Sequence, residues 1–430
     1  MELLRYPDRT SWEAILKRPY KDLSALEDIV RNVFSEVKDQ GDAALESFTK
    51  RFDGVELSEI RVPSDSISDQ ADKISLPLKE AIEVAYENIY AFHAAQKTPR
   101  VEVNMRTGVQ CWQEKRPIER VGLYIPGGTA PLFSTVLMLG IPAQIAGCSE
   151  VVLCSPPNKN GQLHPAILYA AQRCGISIIC RIGGIQAIAG MTYGTQSVPK
   201  VDKIFGPGNQ YVTVAKQWAS RLDVAIDMPA GPSELMVVAD DTAVPEFIAS
   251  DLLSQAEHGT DSQVLLVSDK EAVLEAVSAS LEAQIGELPR EQIARQAMAN
   301  SRGVLLRSRE ELAEIVNAYA PEHLIICHRD EEFLLREIYN AGSVFLGNYT
   351  PESAGDYASG TNHTLPTNGF ARQYSGVNLD SYTKSITYQR IDPDGLQDIG
   401  PAIEIMARAE GLEAHAKAVG IRLSAIKSNE

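Results

Sequence analysis

The sequence predicts an α/β protein built on doubly wound parallel sheet, and three observations carry that reading. From Arg120 onward, short apolar strand-like runs alternate with amphipathic helical stretches. Three of the runs end in glycine turns: Pro126-Gly127-Gly128, Gly183-Gly184 and Gly206-Pro207-Gly208-Asn209. The alternation then resumes after Asp241 and continues to Leu346. Strands separated by helices need right-handed crossovers, which makes them parallel, and ligands of such sheets sit at turns that follow strands.

Taken in order, the chain opens with helices from Trp12 to about Phe52, where Leu26, Ile29, Val30 and Val33 recur at helical spacing. A second helical segment covers residues 77–96, and residues 108–117 read as a strand or hairpin arm. The alternating part begins with strand 121–125 and helix 133–146. Strand 151–155, helix 164–173 and strand 176–182 come next, then a short helix carrying Gln186. Strand 201–205, helix 211–220 and strand 224–227 complete this series. Beyond Asp241 come helix 244–258, strand 263–268, helices 270–284 and 290–299, strand 303–306, helix 309–319, and strands 324–327 and 343–346. Residues 347–369 show no regular pattern, and the tail from about Asp398 to Ile426 reads as two helices broken near Gly411. A structureless loop of that length inside a domain is usually functional or disordered, and its acid, amide and imidazole groups favour function.

The bulk properties exclude several classes. A chain of 430 residues with a net charge of −17 is no general binder of nucleic acid or anionic membrane. No apolar run reaches the ~18–20 residues that span a bilayer, and the N-terminus lacks a basic flank followed by a long apolar core, so a cytoplasmic protein is expected. The six cysteines form no C-x-x-C pair, so a metal held by thiolates is not expected.

Two short stretches carry chemistry. Ser254-Gln255-Ala256-Glu257-His258-Gly259 puts an amide oxygen and an imidazole at i and i+3 on the last turn of a helix, with Gly259 as its stop. Such a pair is half of a nitrogen/oxygen metal site, although a polar helix end would look the same. Pro321-Glu322-His323 places a carboxylate beside an imidazole at a helix-to-strand junction, as an acid/base unit requires, but a lone Glu-His pair is common. The glycine turns form a nucleotide-like crevice, yet the dinucleotide fingerprint fails because Tyr211 stands where G-x-G-x-x-G needs a small residue. His93, His164 and His328 read as structural, and His415 taken alone would read as tail packing.

Taken together, SQAEHG, PEHL, GDYASGTNH, IFGPGN, AGPSE and EGLEAH resemble the L-histidinol dehydrogenase family, NAD-dependent zinc enzymes of histidine biosynthesis, over essentially the whole chain and in the same order. The resemblance implies zinc ligands at Gln255, His258, Asp356 and His415, one Zn2+ per subunit. It implies a general base at His323 and a water-activating acid/base at Glu322. Substrate contacts then fall on Ser233, His363 and Glu410, besides Gln255, His258, His323, Asp356 and His415, and NAD+ contacts fall on Tyr124, Gln186 and Asn209. It implies oxidation of L-histidinol through L-histidinal to L-histidine with two NAD+. It also implies a homodimer in which Glu410 and His415 reach the neighbouring subunit's site.

The architecture implied is two Rossmann-like doubly wound α/β domains with small helical N- and C-terminal additions. The segments are 1–22 as a helical lead, 23–122 with 239–376 as the domain carrying most zinc and substrate ligands, 123–238 as the NAD-binding domain, and 377–430 as the helical tail. Three rival readings stay open: a relative that oxidises another primary alcohol, a metal-dependent hydrolase or aldolase, and a non-catalytic nucleotide-binding module.

Overall fold

Apolar runs rich in valine, isoleucine and leucine settle into strands because a pleated surface accommodates their stiff side chains. In the computed structural model, which describes residues 1–19, 24–127, 131–229 and 231–429, fourteen strands are present among the described residues. They are β1 (Glu2–Arg5), β2 (Val101–Arg106), β3 (Val109–Pro117), β4 (Arg120–Tyr124), β5 (Glu150–Cys154), β6 (Ile178–Cys180) and β7 (Lys203–Phe205). The remainder are β8 (Ala225–Ile226), β9 (Glu234–Ala239), β10 (Gln263–Ser268), β11 (Arg302–Leu305), β12 (His323–Cys327), β13 (Ser343–Leu346) and β14 (Thr383–Ile391). Gly128, the second glycine of the first turn, and Ala230 of AGPSE lie outside the described residues.

The chain divides into two units, Met1–Gln96 with Ile118–Tyr382, and Lys97–Pro117 with Thr383–Glu430. The first holds two all-parallel sheets, one of five strands in the order β6-β5-β4-β7-β8 and one of six in the order β1-β11-β10-β9-β12-β13. In each sheet the earliest strand of the alternating series, β4 or β9, lies inside, and the chain winds outward first to one side and then to the other. The reversal falls between β4 and β7 and between β9 and β12. That is the doubly wound arrangement the helix–strand alternation predicted.

Both sheets are buried on both faces. In β9, Leu235, Val237 and Ala239 enter one apolar layer while Met236 and Val238 enter the other. β10 repeats this, with Val264 and Leu266 opposed to Leu265 and Val267. Full burial of each such side chain contributes about 1.5–3 kcal/mol, so the period-two pattern fixes the register firmly.

Four expectations need correction. The lead segment 1–22 is not wholly helical: Glu2–Arg5 forms an edge strand beside β11. The tail is not wholly helical either, because Thr383–Ile391 pairs along nine residues with β3. Its side chains stay largely exposed, so it lacks the apolar signature of the buried strands. Helices Ser24–Gln40 and Asp42–Phe48 pack through Val30, Phe34, Leu45 and Phe48 on the five-stranded sheet, rather than grouping with residues 239–376. Finally, the irregular stretch 347–369 contains a short helix, Glu352–Tyr357, started by Pro351.

The second unit is a three-stranded antiparallel sheet, β14-β3-β2, with the helices Pro393–Ala409 and Glu413–Asn429. Trp112 and Tyr388 stack at 5.2 Å on neighbouring strands of this sheet. Val101, Val103 and Met105 of β2, and Ile405, Met406 and Ile421 of the helices, are exposed apolar residues.

Candidate active site

The chemistry-bearing residues collect where the strands of the six-stranded sheet begin. Glu234 is the first residue of β9 and His323 the first of β12, with the two strands in parallel register. The Glu234 main chain acts as a hub: its N–H donates to Glu322 Oε2 at 2.9 Å. Its carbonyl accepts from Gln255 Nε2 at 3.1 Å and from His323 Nδ1 at 3.2 Å. Because a carbonyl can only accept, His323 donates to it from Nδ1, and Nε2 faces Asp356 Oδ1 at 3.6 Å. Gln255 sits on the last turn of helix Pro245–Ala256, whereas His258 lies beyond that helix in a turn closed by its N–H to the Gln255 carbonyl. The two therefore stay close, although Gly259 does not take the left-handed stop conformation expected of it.

The electrostatics are those of a site short of positive charge. Burial pushes the Glu322 carboxyl up to about 7. Burial pushes the His323 imidazole down, but Glu352, Glu322 and Asp356 around it outweigh that and raise it to about 10. Glu352, fully buried with neither oxygen hydrogen-bonded, is pushed up to about 8, chiefly by desolvation and then by neighbouring Asp356 and Glu322. His323, Glu352 and Asp356 bring ligand atoms within 4.8 Å of one another. Gln255 Oε1 is also buried with no partner. The Asp356 carboxylate and the partnerless Gln255 amide oxygen, ringed by the further negative charge of Glu322 and Glu352, fit a divalent cation of borderline hardness, which would supply the missing charge.

The remaining predicted residues divide into two groups. His258 Nδ1 lies 3.4 Å from Ser233 Oγ, one residue before the hub. His363 donates from Nδ1 to the Asp356 carbonyl at 2.8 Å, and its Nε2 lies 3.1 Å from the Thr135 hydroxyl, which therefore donates to it. Ser233, Gln255, His258, Glu322, His323, Asp356 and His363 thus lie in one neighbourhood of the first unit. Glu410 and His415 belong to the second unit, at the turn between its two helices, and both are exposed.

A second constellation lies where the strands of the five-stranded sheet end. Tyr124 closes β4, Gly183-Gly184 follow β6, and Gly206 follows β7. The Gly184 N–H donates to the Tyr124 hydroxyl at 3.1 Å, and Asn209 caps helix Gln210–Ser220 by accepting from the N–H groups of Tyr211 and Val212. A cavity of about 950 Å³ opens here, lined by Tyr124, Gln186, Asn209, Asp53, Arg51 and Phe52 among others. The Gly206 turn is held tightly. Gly206 has φ +130, and a Cβ there would come 2.1 Å from the Tyr124 carbonyl. Beneath it the buried Lys216 donates to the Gly206 carbonyl while Asp227, ion-paired to Lys216, accepts from the Gly206 N–H.

Known proteins match this arrangement over its full length. The family described as histidinol dehydrogenase matches residues 16–423. A histidinol dehydrogenase of Bacteroides fragilis is 56% identical over 427 residues, covering 99% of this chain and all of the relative. The chain belongs to the histidinol dehydrogenase family. A histidinol dehydrogenase of Vibrio parahaemolyticus is 51% identical, covering 97% of this chain and 96% of its own. The crystal structure of histidinol dehydrogenase from Elizabethkingia anophelis superposes with a TM-score of 0.97 at 54% identity, covering 99% of each chain. Membership makes the protein an NAD-dependent oxidoreductase, and among its described residues no helix is long and apolar enough to cross a membrane.

Within this histidinol dehydrogenase fold, sequence reasoning missed several residues that touch the site. Glu352 was missed although it stands at i to the predicted Asp356 at i+4, and recognising the short helix would have put both on one face. Thr135 and Glu234 offered no local signal, since each acts through a contact more than 80 residues away. Asp53, which accepts from Gln186 Nε2 at 3.2 Å, likewise depends on a distant partner.

Proposed function

We propose that the protein oxidises L-histidinol to L-histidine with two NAD+, the last step of histidine biosynthesis, in the cytoplasm. The observation that carries this is the buried hub at Glu234, which holds a carboxylate and an imidazole side by side next to unpaired ligand atoms. Gln255, His258 and Asp356 would hold a zinc ion, with His415 of a second copy as fourth ligand. When bound, the metal anchors the substrate's nitrogens and offsets the carboxylate charge that otherwise keeps His323 protonated.

His323 Nε2 then accepts the carbinol proton as hydride passes to the first NAD+. Glu322, poised near neutrality by burial, takes a proton from water as that water adds to the aldehyde. His323, having released the first proton to solvent, accepts another as the hydrate gives its hydride to the second NAD+. The sum is one alcohol, one water and two NAD+ going to one carboxylate, two NADH and three protons. Ser233, His363 and Glu410 orient the substrate, while Tyr124, Gln186 and Asn209 contact NAD+ at the five-stranded sheet.

The same reading makes the protein a homodimer. Glu410 and His415 are exposed in their own chain, and the unit carrying them presents apolar residues on both sheet and helices, as a subunit interface would.

The deciding experiment is absorbance-monitored NADH formation from L-histidinol, before and after chelation, alongside the sedimentation mass. Two NADH per histidinol, abolished by chelator and restored by zinc, together with a dimer mass, is the expected result. NADH from a different primary alcohol alone would move the substrate, and no NADH from any alcohol would overturn the reading.

A further inference from the structure

We infer that Arg18, in the N-terminal segment, is a positioning residue for the Glu322–His323 pair, acting through Glu234. Its guanidinium grips the Glu234 side chain with two nitrogens, Nε to Oε1 and Nη2 to Oε2 at 2.7 Å. The same Nη2 donates to the Tyr319 carbonyl at 2.8 Å, and the guanidinium lies 3.9 Å over the Tyr319 ring. Glu234 Oε1 also accepts from the Asn368 N–H at 2.7 Å, which ties in the loop after His363.

These contacts matter because of what is attached to each end. Glu234 is the residue whose main chain holds Glu322, His323 and Gln255 at once. Tyr319 ends helix Arg309–Tyr319, and the next residue, Ala320, takes the left-handed conformation at φ +54. That conformation is strained for a residue with a Cβ, so it persists only where surrounding contacts hold it. Pro321, Glu322 and His323 follow directly. One guanidinium therefore links the strand that holds the acid/base pair to the turn that presents it. Side-chain exposure is 16% for Arg18 and 2% for Glu234, so both ends of this link are fixed away from solvent. A planar fork that meets carboxylate and carbonyl together is what arginine offers and lysine does not.

The inference rests on the dehydrogenase reading for its kinetic arm, but not for its structural arm. In Arg18→Met, kcat with L-histidinol is expected to fall about 10- to 100-fold, as small displacements of reacting groups do. The KM for NAD+ is expected to hold, because the cofactor cavity contains neither Arg18 nor Glu234. Amide hydrogen exchange should accelerate in the peptides covering 231–236 and 319–324 while those covering 183–212 stay protected. Arg18→Lys, which keeps the charge but loses the fork, should fall between wild type and Arg18→Met.

Leaving Glu234 buried without its partner can unfold the chain, so Arg18→Met/Glu234→Met serves as second variant. Replacing a buried ion pair by apolar side chains often preserves stability. The double variant should regain the wild-type melting temperature and keep exchange protection at 183–212 without regaining kcat. Wild-type kcat in Arg18→Met, recovery of kcat in the double variant, or exchange that rises evenly along the chain in a variant with the wild-type melting temperature would each overturn the inference. If the wild type fails to reduce NAD+ with histidinol, the functional reading falls. The exchange pattern then still decides whether Arg18 holds the hub.

Discussion

The two parallel sheets share a winding order yet place their polar constellations at opposite edges. Tyr124, Gly183 and Gly206 stand where strands of the five-stranded sheet finish, whereas Glu234 and His323 stand where strands of the six-stranded sheet start. Backbone polarity explains the difference. Where a parallel strand finishes, the following helix begins and presents free N–H groups, which suit an anionic ligand such as a dinucleotide. The helices starting at Gly184 and Gln210 bring this positive end beside the large cavity, with some of its N–H groups already taken by the Tyr124 hydroxyl and the Asn209 side chain. Where a strand starts, the preceding helix has just ended and presents carbonyls, which suit a cation. Helices Pro245–Ala256 and Arg309–Tyr319 end there, and the carboxylates of Glu322, Glu352 and Asp356 add to the negative field. Ligands of doubly wound sheets ordinarily bind where strands finish, so the cation proposed for the six-stranded sheet would depart from that rule for a reason of charge.

The largest effect that would test this comparison is at the start of β12. His323→Ala should lower turnover by about 10²- to 10⁴-fold, the usual worth of a positioned acid/base, while NAD+ binding measured by fluorescence titration stays at the wild-type level. Retained turnover would place the chemistry elsewhere. Next, Gln255→Ala should weaken metal retention by about tenfold or more, read by elemental analysis after dialysis against a weak chelator. Unchanged metal content would remove the cation from this edge.

At the other sheet the expected effect is smaller and of a different kind. Gly206→Ala forces a Cβ to 2.1 Å from the Tyr124 carbonyl, so the turn must shift. The KM for NAD+ should rise by about tenfold while bound metal stays constant, since the strain of the left-handed region is worth a few kcal/mol at most. A loss of metal with no change in KM would invert the assignment of the two edges.

The smallest effect belongs to the finishing edge of the six-stranded sheet, where Asp240 follows β9. Burial pushes the Asp240 carboxyl up, but hydrogen bonds from Thr242 and Arg329 outweigh it and hold it at about 2, below its ordinary 3.8. A depressed acid contributes stability above its unfolded value and loses it as pH falls through the folded one. The advantage of wild type over Asp240→Asn in urea melts should therefore be full above pH 4 and vanish towards pH 2, with turnover at pH 7 unaffected. A loss of turnover would bring this edge into the mechanism.

Much of this was legible in the sequence, but unevenly. The alternating part could be read because each buried strand and helix carries its own apolar period, as in residues 263–268 and 309–319, where the predicted limits match the observed ones. The glycine turns could be placed because strand–turn–helix is local. β14 escaped because a largely exposed strand lacks that period, and the helix Glu352–Tyr357 escaped because six residues are too few to show one. At the site, Gln255, His258, Glu322 and His323 stood out through adjacency. Glu234, Thr135 and Arg18 did not, because their contacts join segments far apart along the chain, which only the tertiary fold creates.

The crowded carboxylates around His323 also bear on how the protein should be handled. A cluster whose like charges are forced together resists folding until something of opposite sign joins it. If a divalent ion binds only the folded cluster, linkage makes it part of the folding equilibrium, adding stability by RT ln(1 + [ion]/Kd). The melting temperature then tracks the free ion concentration in the buffer rather than the chain alone. Two preparations of identical sequence can then differ in thermal behaviour according to how much metal each retained.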